Sequence, residues 1–126
     1  MGIKLIKISV IYLFIGTCMG MYMSITGDYT LSSVHSHISL LGWTTMTLSG
    51  IVYHIFPEAS ESLLCKIQFW LFNVGLPLMI IGMGIYLYDV TGSIIVVSIG
   101  GILTSIAILL FMVNVLTGVK RTGIDS

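Results

Sequence analysis

Four apolar stretches, at residues 8–26, 34–56, 67–88 and 93–117, take up most of this 126-residue chain. Each is long enough for one bilayer crossing, since roughly 20 helical residues at about 1.5 Å per residue span the hydrocarbon core. The segments between them are short and carry turn chemistry: Gly27-Asp28-Tyr29-Thr30, Pro57-Glu58-Ala59-Ser60-Glu61 and Asp89-Val90-Thr91-Gly92. Such connections make successive helices antiparallel neighbours. The expected fold is all-α, an integral membrane protein whose residues 1–126 form a single four-helix transmembrane domain. Composition agrees. With 56% of residues hydrophobic and 8% charged, polar surface cannot cover a soluble core, so lipid must cover the apolar exterior.

Orientation follows from the basic residues. Lys4 and Lys7 precede the first stretch, Lys66 lies between the second and third, and Lys120 and Arg121 follow the fourth, so all five fall on one side. The opposite loops contain Asp28 and Asp89 but no Lys or Arg. The positive-inside rule then places both termini in the cytoplasm of a multi-pass protein, expected in the bacterial cytoplasmic membrane. The first stretch, after Lys4 and Lys7, has the outline of a secretory signal, and Ile15-Gly16-Thr17-Cys18 faintly resembles a lipoprotein cleavage box. Thr17 is a poor residue before such a cysteine and no A-x-A site follows, so a retained span is expected. The formal net charge of zero excludes the basic stripe that a nucleic-acid partner calls for. Cys18 and Cys65 form no motif for a disulfide or a metal.

Ionisable side chains enter the second stretch, which begins Val34-His35-Ser36-His37-Ile38-Ser39-Leu40-Leu41-Gly42-Trp43. Polar groups at membrane depth are costly and call for a reason. One reason is simple hydration at the headgroup level. The other is ligation, because His37 lies inside the apolar run among small residues. Residues two apart on an α-helix point about 200° away from each other, so His35 and His37 cannot bind one ion from the same helix and must serve separate surroundings. A helical wheel puts Ser39, Gly42, Met46 and Tyr53 beneath His35, and Leu41, Thr44, Leu48 and Ile55 beneath His37. Gly42 leaves a hollow that either a macrocycle or a closely packed neighbouring helix can use. His54 lies about 25 Å along the helix from His37 and reads as an interfacial side chain.

The second stretch continues to Gly50-Ile51-Val52-Tyr53-His54-Ile55-Phe56-Pro57-Glu58, and as a whole it resembles the second helix of the heme-copper oxidase catalytic subunit, nearest to that of nitric oxide reductases. In that family a histidine begins this helix and ligates the low-spin heme, and a Gly-x-x-Tyr stretch ending in Pro-Glu closes it. Small proteins described as cytochrome c oxidase-like look similar along their full length. The family's catalytic subunit has twelve helices in three four-helix arcs, with a His-x-His pair on the tenth helix ligating two hemes. The resemblance therefore implies that this chain is one arc, that three copies form a homotrimer, and that heme b sits at the protomer junctions. It implies His35 and His37 as iron ligands, one from each neighbour, with Ser39, Gly42, Trp43 and Met46 lining the cofactor.

Several features depart from the family. There are no further histidines for a copper site, and no basic residue on the outer side to hold propionates, which would meet water, backbone amides, Ser36, Thr30 or the Trp43 indole. A non-catalytic role in electron transfer is thus expected, with an unknown redox partner, membrane lipid as surroundings and no nucleic acid. If only one histidine ligates, the protein is instead a heme-handling or gas-sensing binding protein. A cofactor-free helper of a respiratory complex is the third possibility. Tyr22, Tyr29, Tyr88 and Trp43 fit interfacial aromatics. Gly75, Gly82, Gly84, Gly100 and Gly101 read as helix-packing contacts, and Asn73 and Asn114 as amides bonding across helices. Methionines are spread over all four stretches and read as apolar filler rather than axial ligands.

Overall fold

A lipid-solvated chain must satisfy its backbone within each segment, which leaves helices as the economical solution here. The computed structural model describes residues 2–88 and 92–118, and every regular element among them is helical. Three helices are each long and apolar enough to cross a membrane: α1 (Gly2–Thr26), α5 (Leu63–Tyr86) and α6 (Ser93–Gly118). The second apolar stretch is wound in three consecutive parts, α2 (Ser32–His37), a π-helical segment (Ile38–Thr45) and α3 (Met46–Ile55). A short α4 (Pro57–Ser60) precedes α5. α1 begins at Gly2, ahead of the apolar run expected from residue 8, while the other bounds lie close to their runs. The π-helical segment is the departure in winding, because apolar periodicity carries no sign of an i→i+5 register.

Local chemistry sets the ends. Gly27 takes φ 70° after α1 and donates its N–H to the Met23 carbonyl at 2.9 Å, the left-handed cap that glycine adopts without steric cost. Asp28 Oδ1 then accepts from the Thr30 hydroxyl at 2.6 Å and the Thr30 N–H at 3.1 Å, tightening the turn. Phe56 leaves helical geometry (φ −116°, ψ 82°) because it precedes Pro57, which opens α4 where its missing N–H costs nothing. Ser62 caps α5, its hydroxyl oxygen accepting from the Cys65 N–H at 3.2 Å.

The helices pair as two antiparallel hairpins, α1 with residues 32–55 and α5 with α6. Small residues make both seams, as expected where lipid tails remove any hydrophobic drive for helices to associate. A Cβ on Gly75 would stand 2.7 Å from the Leu103 Cβ, one on Gly82 2.9 Å from a Val96 methyl, and one on Gly100 2.7 Å from the Gly75 carbonyl oxygen. Those three glycines are helix-packing contacts as the sequence suggests. Gly84 and Gly101 are not: a Cβ on Gly84 meets nothing within 4 Å, and one on Gly101 meets only the Met79 sulfur at 3.8 Å.

Where the hairpins meet, Leu5, Met46, Tyr53, Phe69, Phe72, Leu76, Met79 and Ala107 form a continuous buried core. Large apolar side chains such as Phe14, Ile25, Trp70, Ile81, Ile102 and Leu116 point outward. That pattern suits a lipid exterior. Asn114 bonds across elements, its amide donating to Ala59 O at 3.0 Å and Tyr53 Oη at 3.3 Å while its Oδ1 accepts from the Ser62 hydroxyl at 3.0 Å. Asn73 stays within its own helix, donating to Phe69 O at 2.8 Å, so the expected cross-helix bond is not made there.

Candidate functional site

His35 and His37 occupy the last turn of α2, immediately before the π-helical segment. Their i, i+2 spacing sends them to different surroundings, as the helical geometry demands. His35 turns toward α1, where its ring sits so close to Gly20 that a Cβ there would lie 3.1 Å from His35 Cε1. His35 Nδ1 is buried without a hydrogen-bond partner, and Gln68 Oε1 in the core is in the same condition. A buried polar atom left unpaired costs about 1–3 kcal/mol.

His37 faces the other way and lines an open groove of about 650 Å³ with Leu41, Met79, Ser98, Gly101 and Thr104 among the wall residues. A groove of that volume falls within the range of about 300–1,000 Å³ typical of cofactor sites. The His37 Nδ1 lies 2.7 Å from the Ser33 carbonyl oxygen. A carbonyl can only accept, so Nδ1 carries the proton and donates, and in the neutral ring the lone pair is on Nε2. Metal-ligating histidines are held in this way, one ring nitrogen donating to a backbone carbonyl and the other presented to the metal.

The remaining sequence-derived candidates divide between the two hairpins. Ser39 turns to α1, its hydroxyl 3.3 Å from where a Gly16 Cβ would stand. The hollow at Gly42 takes the Tyr12 ring, whose Cγ would lie 2.5 Å from a Cβ at that position. Within the chain, therefore, Gly42 serves the helix-packing use rather than the macrocycle use. Met46 is buried in the core at 1% exposure, and Trp43 is half-buried. Beneath His37, Leu41 joins the groove as the wheel predicts, but Leu48 and Ile55 point outward. Met46 and Tyr53, beneath His35 on the same wheel, are each 1% exposed, so the wheel still separates the inward from the outward face beyond the π-helical segment.

Two residues were passed over in the sequence. Gln68 is 1% exposed in the middle of an apolar run, and a lone amide in such a run is itself a visible signal. Met79 could not be told from the other methionines by composition, since only the fold places it beside His37 in the groove. His54 lies near the end of α3, lining a separate cleft of about 220 Å³ with Tyr53, Pro57 and Glu61, in keeping with an interfacial position. Cys18 is exposed and Cys65 buried, both as free thiols. Among the described residues, no three His, Cys, Asp or Glu side chains come together as a metal-binding group, so any ion held here would need ligands from a cofactor or another type of side chain. Asp89, Lys120 and Arg121, on which the orientation partly rests, lie outside the described residues. No known protein family, curated protein or solved structure matches the chain.

Proposed function

We propose that this protein is a heme b-binding membrane cytochrome that carries single electrons, with His37 as an iron ligand. The observation that carries this reading is the His37 ring itself, which lines an open groove with its Nδ1 proton committed to the Ser33 carbonyl at 2.7 Å. The fit extends to Gly101, whose missing side chain keeps one groove wall flat. Ser98 and Ser105 add hydroxyls along the same wall. On the α1 side the fit is poor, because Tyr12 and Gly20 already occupy the faces of Gly42 and His35.

A bound heme b supplies one-electron chemistry at its iron. The chain's own contribution is to fix the imidazole tautomer, exclude water with Leu41 and the isoleucines of α6, and hold the site inside the bilayer. Residues 32–55 are proposed as a fourth crossing, both termini are proposed to be cytoplasmic, and a homotrimer is proposed as the assembly, a neighbour closing the open side of each groove.

The test is heme content and optical spectrum of the full chain purified in detergent. Stoichiometric heme with sharp reduced bands is expected, and His37→Ala is expected to lose it. A carbon monoxide shift in the unmodified protein would favour the gas-sensing alternative. Colourless protein, or undiminished heme in His37→Ala, would overturn the proposal.

A further inference from the structure

We infer that Met79 is the second axial ligand of the heme held by His37, supplied by the same protomer. This inference rests on the heme reading above and names the ligand set of that site. Methionines occur in every span, but Met79 is the one that lines the groove with His37. Its side chain is only 7% exposed, and its sulfur is the nearest atom from another helix to where a Cβ on Gly101 would stand, at 3.8 Å. The sulfur therefore lies at the glycine-flattened wall. Gly100, next in sequence, packs directly on the Met79 backbone and fixes where that side chain starts.

Depth agrees as well. Val34 lines an apolar cleft with Ile81 and Ile85, at the end of the hairpin where α2 begins and α5 ends. One turn further in, α2 reaches His37 and the antiparallel α5 reaches Met79. His35 is the competing ligand. Its ring is pressed on Gly20 with Nδ1 enclosed, so it can reach another protomer's iron only if α1 moves away.

Ligand charge does not separate the two sets, since imidazole and thioether are both neutral, but preference for the ferrous state does. Heme b has a net positive iron–porphyrin centre only when oxidised, and an apolar groove disfavours that extra charge. The thioether is neutral and soft and binds the ferrous state well, and His/Met ligation raises the potential above that of bis-histidine sites.

The full chain, purified in detergent and loaded with hemin, provides the test. The unmodified protein is expected to show the far-red methionine-to-ferric-iron absorption band and a ferrous form inert to carbon monoxide. Met79→Leu conserves volume and is expected to lose that band, bind carbon monoxide and drop in potential. Met79→His is expected to remain six-coordinate without the far-red band, and it decides the matter alone should Met79→Leu fail to fold. His35→Ala is expected to match the unmodified protein. The inference is overturned by absence of the far-red band in the unmodified protein, by unchanged spectra in the Met79 variants, or by His35→Ala being the variant that gains carbon monoxide binding. Failure of the unmodified protein to hold hemin would instead sink the heme assignment itself, and full heme in His37→Ala would sink His37 as its ligand, so the failures are distinct.

Discussion

Gly42 and Gly84 are both glycines within apolar helices, yet their neighbourhoods demand opposite outcomes on adding a methyl group. At Gly42 the new Cβ would meet Tyr12 at 2.5 Å, and at Gly84 it would meet nothing within 4 Å. Overpacking of this kind costs about 1–3 kcal/mol, so Gly42→Ala is expected to lower stability by that amount, measured by unfolding in mixed micelles. Gly84→Ala is expected to be neutral or to stabilise by up to about 1 kcal/mol through reduced chain entropy. Shrinking Tyr12 to Leu in the Gly42→Ala background should restore part of the loss, and a strictly additive double mutant would show that the two residues do not touch. Asp28 offers a pH-dependent test outside the membrane. The Thr30 hydroxyl and N–H hold its carboxyl below the ordinary range. A depressed folded-state value means the turn is fully held above the unfolded pKa and loosens as pH falls through the folded one. Thr30→Val, which removes the larger cause, is expected to raise the Asp28 midpoint, followed by NMR titration.

At the scale of elements, the π-helical segment is what the histidines depend on. Removing one residue from Ile38–Thr45 would let the segment close as an α-helix, and because the π register already turns less per residue, α2 would rotate against α3 by well under the about 100° that a deletion within an α-helix gives. Thr44 is exposed, so its deletion disturbs packing least. Deletion of Thr44 is expected to keep the helical circular dichroism and to turn His37 only partly from its place at the groove, with a smaller heme loss than His37→Ala. Heme retention at the unmodified level would show that the register does not matter. This element was also the least legible part of the sequence. Most helix limits could be read closely because turn residues bracket the apolar runs, as at Gly27 and Pro57, but α1 continues back through Lys4 and Lys7 to Gly2. Opposite placement of His35 and His37 followed from angular spacing alone. By contrast, periodicity cannot reveal an extra residue per turn, and nothing local says that Gly42 receives Tyr12 or that Met79 differs from Met83. Those facts belong to helix pairing. Asn114 was legible as a buried amide because a polar side chain inside a span needs a partner, but which partners it found was not. Replacing it with Leu breaks the bonds to Ala59, Tyr53 and Ser62. Such bonds average about 0.6 kcal/mol in membranes, so Asn114→Leu is expected to cost about 1–2 kcal/mol in the same unfolding assay.

For the whole molecule, the decisive question is how many times the chain crosses. Three helices pass on length and hydropathy taken singly, and residues 32–55 run as one helical stretch only when α2, the π-helical segment and α3 are joined. Parity separates the two cases. If residues 32–55 cross, the Asp28 turn and the Glu58 turn lie on opposite faces of the membrane. If they lie flat at the interface, the two turns share a face and α5 and α6 keep both their outer ends together. Packing favours the crossing, because α1 runs antiparallel to this stretch over its whole length, from Gly20 beside His35 to Gly2 beside His54. A helix that spans cannot keep such a partner in the interfacial plane. In a cysteine-free background made with Cys18→Ser and Cys65→Ser, Asp28→Cys is expected to react with an impermeant maleimide in intact cells. Glu58→Cys is expected to react only after the membrane is opened, because the basic residues Lys4, Lys7 and Lys66 share its side and basic flanks stay cytoplasmic. Equal labelling of both positions in intact cells would put the two turns on one face. The groove beside His37 would then lie near the headgroups, where water competes for the iron and a buried heme loses its physical basis.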